Sequence, residues 1–239
     1  MTPKMNEPQR TFLDQFLTAF SSREWLRSNL GLFGSFSAWC HRIIDRCPND
    51  IDVVFRGSLD VDSSRWSVVR RILNATRDEA IHAIPGRRLT GTLPTSVHLT
   101  DLRSKSIELV RLPFLSSHGG VELWFQSSAD WVADKVVAIE KAVLGSGVLH
   151  GIDILDLCKL NRGMPVSQDA VHQRLEIKRR TFLQPDQAPP TPSRSQLELG
   201  LSSLMQGSTS DLYRVSDEEF DNFERLVASH AERRVAVVS

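Results

Sequence analysis

The chain has 239 residues, 41% of them hydrophobic, and its 29 basic residues balance its 29 acidic residues to a net charge of zero. This length and apolar content allow a buried core, which predicts one main domain with a smaller appended part. Zero net charge excludes binding of nucleic acid through an overall basic charge, so any such surface must be a local patch. Three cysteines, no signal peptide and no long apolar run predict a soluble, cytoplasmic protein with no membrane partner.

Helical spacing marks the first part of the chain. Between Thr11 and Leu30 apolar residues recur on one helix face, which predicts one or two helices packed beside the first strand. The stretch from Leu32 to Phe55 follows, and the functional interpretation depends on its polar residues.

Two aspartates stand at the entry to an apolar strand. Because side chains alternate along a strand, Asp50 and Asp52 are predicted to share one face, while Ile51 and Val53 share the other. Neighbouring carboxylates repel each other, and a polyvalent cation is the usual partner that stabilises such a pair. The spacing therefore predicts a metal site at Asp50 and Asp52.

A Gly-Ser pair lies upstream of the aspartates. Gly34 lets the backbone approach a bulky anion closely, and Ser35 offers a hydroxyl and an N–H group at a predicted helix start. Such a pair alone more often marks a turn, but together with the aspartates it indicates a phosphate site beside a metal site. The nearby Cys40, His41 and Cys47 have no fourth ligand at a recognisable spacing, which favours packing over zinc binding.

The middle of the chain alternates between helical and extended patterns. A helix is predicted from the cap at Ser63-Ser64 to the stop at Pro85-Gly86, followed by strands near residues 96–99, 106–112 and 121–125. This order predicts an α/β (α+β) fold in which helices flank a mixed sheet. The predicted helix has an inward stripe formed by Val69, Leu73, Thr76, Ala80 and Ile84.

Two glutamates interrupt the predicted strands. Glu108 and Glu122 each stand between apolar neighbours. On a strand next to the aspartate pair, either one could add a third carboxylate to the metal site. A glutamate that simply faces solvent from a strand is an equally good interpretation of each.

A lysine lies inside the apolar stripe of the next predicted helix. Val132, Val136, Ile139 and Val143 recur at helical spacing, and Lys135 falls among them. A lysine there must snorkel, pair with an acid or reach an anion. The stripe also predicts that methionine at position 135 leaves thermal stability unchanged or raises it, because an apolar chain suits that face.

The composition changes after residue 184. Residues 185–215 are rich in Pro, Ser and Gln, which predicts a linker. A capping box at Ser216 then begins a C-terminal amphipathic helix, 216–239, with Phe220 and Phe223 on its apolar face. That face must be buried on its own domain, on a second copy through self-association, or on a partner.

The Gly34-Ser35 pair followed by Asp50-x-Asp52 resembles the sequence pattern of the DNA polymerase beta-like nucleotidyltransferases. The arginine and proline before the aspartates, Arg46 and Pro48, are typical of the bacterial abortive-infection toxins of the AbiEii/AbiGii type.

Two later segments resemble the same toxin branch. Ala133 to Ile139 is similar to its "A-[DE]-K-hydrophobic" helix, in which the lysine contacts nucleotide phosphates. Asp153 and Asp156 match the aspartates of the helix that follows, with Asp153 the firmer match. The basic residue that normally stands before the first aspartate is replaced here by Gly151-Ile152.

The resemblance implies a nucleotidyltransferase catalytic core at 1–128 and a helical nucleotide-cleft subdomain at 129–184. It implies metal-dependent transfer of a nucleoside monophosphate from a nucleoside triphosphate to tRNA or a protein. The protein would be the toxin of a bacterial toxin–antitoxin or phage-defence pair, with a cognate antitoxin as partner.

The resemblance also implies roles for single residues. Two Mg²⁺ ions are expected at Asp50, Asp52 and Glu108, and phosphate is expected at Gly34 and Ser35. Lys135 is expected to neutralise phosphate charge, and Asp153 is expected to join it as a catalytic residue. The implied roles are therefore catalysis for Asp50, Asp52, Lys135 and Asp153, nucleotide binding for Gly34, Ser35 and Lys135, and metal binding for Asp50, Asp52 and Glu108.

Two other functions remain open on the sequence. One is a non-catalytic module on the same fold that senses nucleotides or binds partners, with the C-terminal helix as its working end. The missing basic residue before Asp153 and the unassigned third carboxylate favour this module. The other is a metal-dependent phosphohydrolase, which would release free phosphate without labelling an acceptor.

Overall fold

A computed structural model describes residues 6–44, 46–57, 63–84, 93–101, 106–116, 119–160, 166–184, 187–205 and 215–226. The chain forms two compact units, the sheet unit Met1–Ser127 and the helical unit Ser128–Ser239. This boundary lies one residue from the predicted end of the catalytic core. The predicted helix stop at Pro85-Gly86, part of the predicted linker at 206–214, and the tail at 227–239 lie outside the described residues.

The helices of the sheet unit follow local sequence signals. Helix α1 (Glu7–Ser22) begins with a capping box, in which the backbone N–H groups of Asn6 and Gln9 each donate to the other's side chain at 3.2 and 3.0 Å. The remaining helices are α2 (Glu24–Asn29), α3 (Gly34–Cys40) and α4 (Ser63–His82). Helix α4 buries four residues of the predicted stripe, Val69, Leu73, Thr76 and Ala80, and the fifth, Ile84, is buried two residues after the helix ends.

The described part of the sheet unit contains one mixed sheet. Its strands are β1 (Leu30–Phe33), β2 (Asp50–Phe55), β3 (Ser96–Asp101), β4 (Leu109–Ser116) and β5 (Gly119–Gln126). They lie in the order β3-β2-β1-β5-β4. The pairs β1–β2 and β4–β5 are antiparallel, and the pairs β1–β5 and β2–β3 are parallel. The predicted α/β class, with helices flanking a mixed sheet, is confirmed.

The register divides the sheet into two faces of different character. Val53 pairs with Leu32, and Leu32 pairs with Phe125, so these buried apolar residues share one face. Their neighbours along each strand point to the other face, which we call the aspartate face. Its members include Asp50, Asp52, His98, Trp124 and Arg111.

In the described part of the helical unit, the regular secondary structure is helical. These are α5 (Ser128–Leu144), α6 (Gly151–Cys158), α7 (Gln168–Arg179) and α8 (Arg194–Met205), and residues 217–226 are also helical. Val132, Val136 and Ile139 of the predicted stripe are buried on α5. Within the described ranges, no helix combines the length and the apolar character needed to cross a membrane.

Helix α8 occupies part of the predicted linker, so the interpretation of 185–215 as unfolded linker is wrong for this segment. It starts at a capping box in which Ser193 and Gln196 exchange backbone-to-side-chain hydrogen bonds of 2.9 and 3.3 Å. It packs on α6, where Gly151 and Gly200 touch so closely that a methyl group on Gly151 would overlap the Gly200 carbonyl. Glycine at this contact lets the two helix backbones approach, which anchors α8.

The C-terminal helical stretch is buried on the helical unit itself. Its predicted capping box is present, because the backbone N–H groups and side chains of Ser216 and Glu219 exchange hydrogen bonds of 2.9 and 3.2 Å. Phe220 and Phe223 are buried, and the Lys159 ammonium donates to Glu219 at 2.9 Å. Of the three places predicted for the apolar face, the chain's own domain is therefore the one observed for these two residues.

Candidate functional site

Strand β2 presents its two aspartates as predicted. Asp50 and Asp52 are half-buried on the aspartate face, whereas Ile51 and Val53 are fully buried on the other. The first turn after β1 brings the Gly-Ser pair to the same place, because Phe33, the last residue of β1, pairs with Asp52.

Gly34 directly contacts the Asp52 carboxylate. Its φ of 65° lies in the left-handed region, where any side chain would be strained. A methyl group on Gly34 would overlap Oδ2 of Asp52 and lie 3.1 Å from Cγ. The Gly34 N–H donates to Oε1 of Gln126 at 2.8 Å, which fixes the peptide at the start of α3. Only glycine therefore allows this carboxylate and this turn to occupy adjacent space.

An arginine joins the Gly-Ser pair. A guanidinium N–H of Arg46 donates to the Ser35 hydroxyl at 3.1 Å. In the sequence, Arg46 was noted because it precedes the aspartates. In the structure, its positively charged guanidinium group contacts Ser35. A guanidinium next to a hydroxyl at a turn is a combination that can hold phosphate oxygens.

Strand β3 contributes two residues that the sequence did not single out. Ser96 pairs with Asp50 and His98 pairs with Asp52 across the parallel β2–β3 ladder. The Ser96 hydroxyl donates to the Asp50 carboxylate, and Nδ1 of the exposed His98 lies 3.6 Å from Oδ1 of Asp52. The alternation Ser-x-His was visible in the sequence, but only the strand order shows that it lies beside the aspartates.

The two candidate third carboxylates lie away from β2. Glu108 immediately precedes β4, where it accepts a hydrogen bond of 2.5 Å from the Ser127 hydroxyl, and β1 and β5 separate β4 from β2. Glu122 lies on β5 and contacts Arg111 at 3.3 Å. Neither stands on a strand that pairs with β2. Among the described residues, no three His, Cys, Asp or Glu side chains are arranged to hold a metal ion.

In the helical unit, Lys135 pairs with acids. Its ammonium donates to Oδ1 of Asp153 at 2.5 Å and lies 3.2 Å from Oδ2 of Asp156, whose side chain is 1% exposed. Of the three environments predicted for Lys135, pairing with an acid is the one observed. The structure thus places Lys135, Asp153 and Asp156 in one cluster.

A second set of buried charges links α5 to α7. Asp130 contacts Arg174 at 2.7 Å and Lys178 at 3.0 Å, and the fully buried Glu140 contacts Arg179 at 2.5 Å. These contacts were missed in the sequence, because a helix as charged as α7 normally exposes its cations. The available signal was weak, because both acids stand among apolar residues of α5 but only Glu140 borders the apolar stripe.

The cysteines near the site, Cys40 and Cys47, are half-buried. Burial raises the pKa of Cys47 to about 12 and raises the pKa of Cys40 as well. Both thiols therefore remain protonated at neutral pH. Packing, rather than zinc binding, stays a prediction for Cys40 and Cys47.

The chain matches no family model, no curated protein and no solved structure. A function for it must therefore be argued from the positions and contacts of its own residues.

Proposed function

We propose that this protein is a metal-dependent nucleotidyltransferase that moves a nucleoside monophosphate from a nucleoside triphosphate to an acceptor, tRNA or a protein. The observation that carries the proposal is the contact between Gly34 and the Asp52 carboxylate. It joins a turn suited to phosphate and a carboxylate pair suited to a cation at one point of the aspartate face. Nucleoside triphosphates bind as metal complexes, so a site for them needs both features side by side.

The donor atoms fit a magnesium ion. Carboxylate and hydroxyl oxygens are the ligands that Mg²⁺ prefers, and Asp50, Asp52 and Ser96 supply them on two adjacent strands. Asp50 and Asp52 would hold the ion, which when bound neutralises charge on the triphosphate. The placement of Glu108 beyond β1 and β5 lends no support to a second ion at the same carboxylates.

The surrounding residues have defined tasks in this proposal. The Ser35 hydroxyl and the Arg46 guanidinium hold phosphate oxygens, and the bare Cα of Gly34 gives them room. In the helical unit, the family resemblance gives Lys135 a role in neutralising phosphate charge, and Asp153 accepts a hydrogen bond of 2.5 Å from its ammonium. The nucleotidyltransferase fold, the toxin role and the antitoxin partner belong to the proposal through the family resemblance, and the cytoplasmic location belongs to it through the cysteine content and the absence of a long apolar run in the sequence.

One observation favours a second candidate, a module that binds nucleotide without transferring it. The strands that pair with β2 place Ser96, His98 and Phe33 opposite the aspartates, and none of these is a carboxylate. Two carboxylates suffice to hold a metal–nucleotide complex, whereas two-metal transfer chemistry needs ligands for both ions.

The experiment incubates the protein with α-labelled nucleoside triphosphates, Mg²⁺ and total tRNA or total protein. Label on an acceptor, lost on addition of EDTA, is the expected result. Saturable nucleotide binding without a labelled acceptor would support the second candidate. Release of free phosphate without labelling would indicate a phosphohydrolase.

A further inference from the structure

Two arginines stack on one tryptophan of the aspartate face. The guanidinium carbon of Arg56, just after β2, lies 3.5 Å from the centre of the Trp124 ring on β5. Arg111 lies on β4 and pairs with Trp124. Its guanidinium carbon is 4.8 Å from the centre of the same ring. We call these three residues the Arg-Trp-Arg stack. Three separate strand regions contribute to it, so the fold, not a local motif, assembles it.

Within the described part of the chain, ion pairs balance the positive charge of the stack only partly. Among the described residues, the carboxylate that contacts either arginine is that of Glu122, 3.3 Å from Arg111. Arg56 instead donates to the backbone carbonyl of Ser28 at 2.8 Å. Burial and the nearby Arg111 charge lower the pKa of Arg56, as expected for two like charges held together. An anion at this point would relieve that repulsion.

The chemistry of the stack matches one class of ligand. Planar guanidinium and indole groups offer surfaces on which bases stack, and the guanidinium N–H groups bind phosphate oxygens. A nucleic-acid strand contains bases and phosphates in alternation, whereas an acidic peptide supplies only negative charge. Bases are free to stack on side chains in single strands, not inside a duplex. Arg111 remains 56% exposed, so a ligand can reach it.

From this geometry we infer that the Arg-Trp-Arg stack binds a single-stranded nucleic acid, which would be the acceptor strand if the proposed transfer reaction is correct. The stack and the aspartates lie on the same face, with only β1 between β5 and β2. Two strand spacings amount to about 10 Å, so a strand held at Trp124 can extend to Asp52. The Arg-Trp-Arg stack also provides the local basic patch that a chain of zero net charge needs for nucleic-acid binding.

The test measures binding of a fluorescent twelve-nucleotide uridine RNA to the full chain, without nucleotide, by anisotropy. The double variant Arg56→Gln with Arg111→Gln should weaken binding at least tenfold. The slope of log affinity against log salt concentration should become shallower by about 0.7 for each phosphate that the variant no longer neutralises. The matched control is Arg70→Gln with Arg71→Gln, which removes the same charge from exposed positions on α4 and should change the affinity less than twofold.

Two further variants keep the result interpretable. Arg111→Gln alone changes an exposed side chain and should weaken binding about threefold, even if removing the Arg56 hydrogen bond to Ser28 in the double variant impairs folding. Arg56→Lys with Arg111→Lys keeps the charge but removes the planar groups, and it should still weaken binding.

Equal loss in the α4 control, equal affinity for a duplex of the same length, or equal competition by polyglutamate would each overturn the inference. Asp50→Asn with Asp52→Asn should not weaken RNA binding, because it removes negative charge from the path of the strand. RNA binding that depends on the stack in a protein that transfers no label would therefore uphold the stack and reject only the transferase proposal.

Discussion

Carboxylates are held in opposite ways in the two units of this chain. In the sheet unit, Asp50 and Asp52 are half-buried on an open part of the sheet, in contact with a serine hydroxyl and an imidazole. In the helical unit, Asp130, Glu140 and Asp156 are at most 1% exposed, and each lies within 3.2 Å of a lysine or arginine.

The difference separates two uses of the same side chain. A buried carboxylate that already has a cation contributes to the fold, and removing the cation leaves an uncompensated buried charge. A half-exposed pair on adjacent positions of one strand face can accept a cation from solution, because its own mutual repulsion disfavours the empty state. The comparison therefore predicts loss of activity without loss of stability in one unit and the reverse in the other.

The largest effect is expected at the sheet-unit pair. Asp50→Asn with Asp52→Asn should lower nucleotide transfer at least about 1,000-fold, equivalent to about 4 kcal/mol of transition-state stabilisation. Thermal stability should hold or rise, because the substitution removes repulsion between the carboxylates. Transfer assays and thermal melts check this, with the exposed Asp14→Asn on α1 as control. A double variant that unfolds, or that stays active, would make the two aspartates structural or irrelevant.

The next effect is expected at the most buried ion pair of the helical unit. Arg179→Met should lower the free energy of unfolding by about 3–5 kcal/mol, because it removes the buried cation that contacts the Glu140 carboxylate. Adding Glu140→Leu should recover most of the loss. Urea unfolding measures both, and Glu198→Gln in the exposed Arg194–Glu198 pair should cost less than about 1 kcal/mol. Similar costs for the buried and exposed pairs would remove the proposed difference.

A third prediction concerns His41 of the sheet unit, a titratable side chain whose effect on stability can be measured independently of Asp50 and Asp52. Burial lowers the pKa of His41 to about 4, and its Nε2 has no hydrogen-bond partner among the described residues. Between pH 6.5 and 4 the unfolded chain binds a proton that the folded chain does not. Stability is therefore complete above pH 6.5 and falls by about 3 kcal/mol as the pH approaches 4.

His41→Phe should flatten that part of the pH dependence, because it keeps a ring against Phe125, 4.8 Å away, and cannot titrate. Urea unfolding at pH 7, 5.5 and 4.5 tests it. An unchanged pH dependence would assign the acid sensitivity to other groups.

The smallest effect is expected for Lys135→Met. The expected change in stability is opposite in sign to the one predicted from the sequence. The apolar stripe predicts that Lys135→Met holds or raises stability, but the structure pairs this ammonium with Asp153 and the buried Asp156. The free energy of unfolding should instead fall by about 2 kcal/mol, as for removal of a charge-assisted hydrogen bond. Nucleotide affinity should fall by about 1.5–3 kcal/mol if the ammonium also serves phosphate. Unchanged melting would restore the stripe interpretation, and unchanged affinity would leave Lys135 a purely structural residue.

Local signals in the sequence predicted the parts of this fold that depend on local physics. The alternation along β2 placed Asp50 and Asp52 on one face, and the 3.6-residue period identified the buried stripe of α4. Both patterns arise from backbone geometry alone. The capping box at Ser216 was found for the same reason, and the similar one at Ser193 was overlooked because the prolines before it indicated a linker.

The parts that could not be predicted depend on long-range pairing. No local sequence pattern indicates that β3 lies beside β2, so His98 was missed. No local pattern indicates that β4 lies three strands away from β2, so Glu108 was expected too near the aspartates. The same holds for the cations of α7, which are buried only because α5 supplies acids at matching positions. Charge partners across helices are set by packing, which a single sequence does not encode in its periodicity.

The contact between Gly34 and Asp52 has a consequence for how ligands influence each other. Because no atom separates the turn from the carboxylate, a shift of the peptide at Gly34 must displace Asp52, and a rotation of Asp52 must press on the turn. If the proposed sites are occupied, phosphate binding and cation binding would be thermodynamically coupled, and each would change the affinity of the other by the same factor. The proposed site would then bind the metal–nucleotide complex as a whole in preference to either component alone.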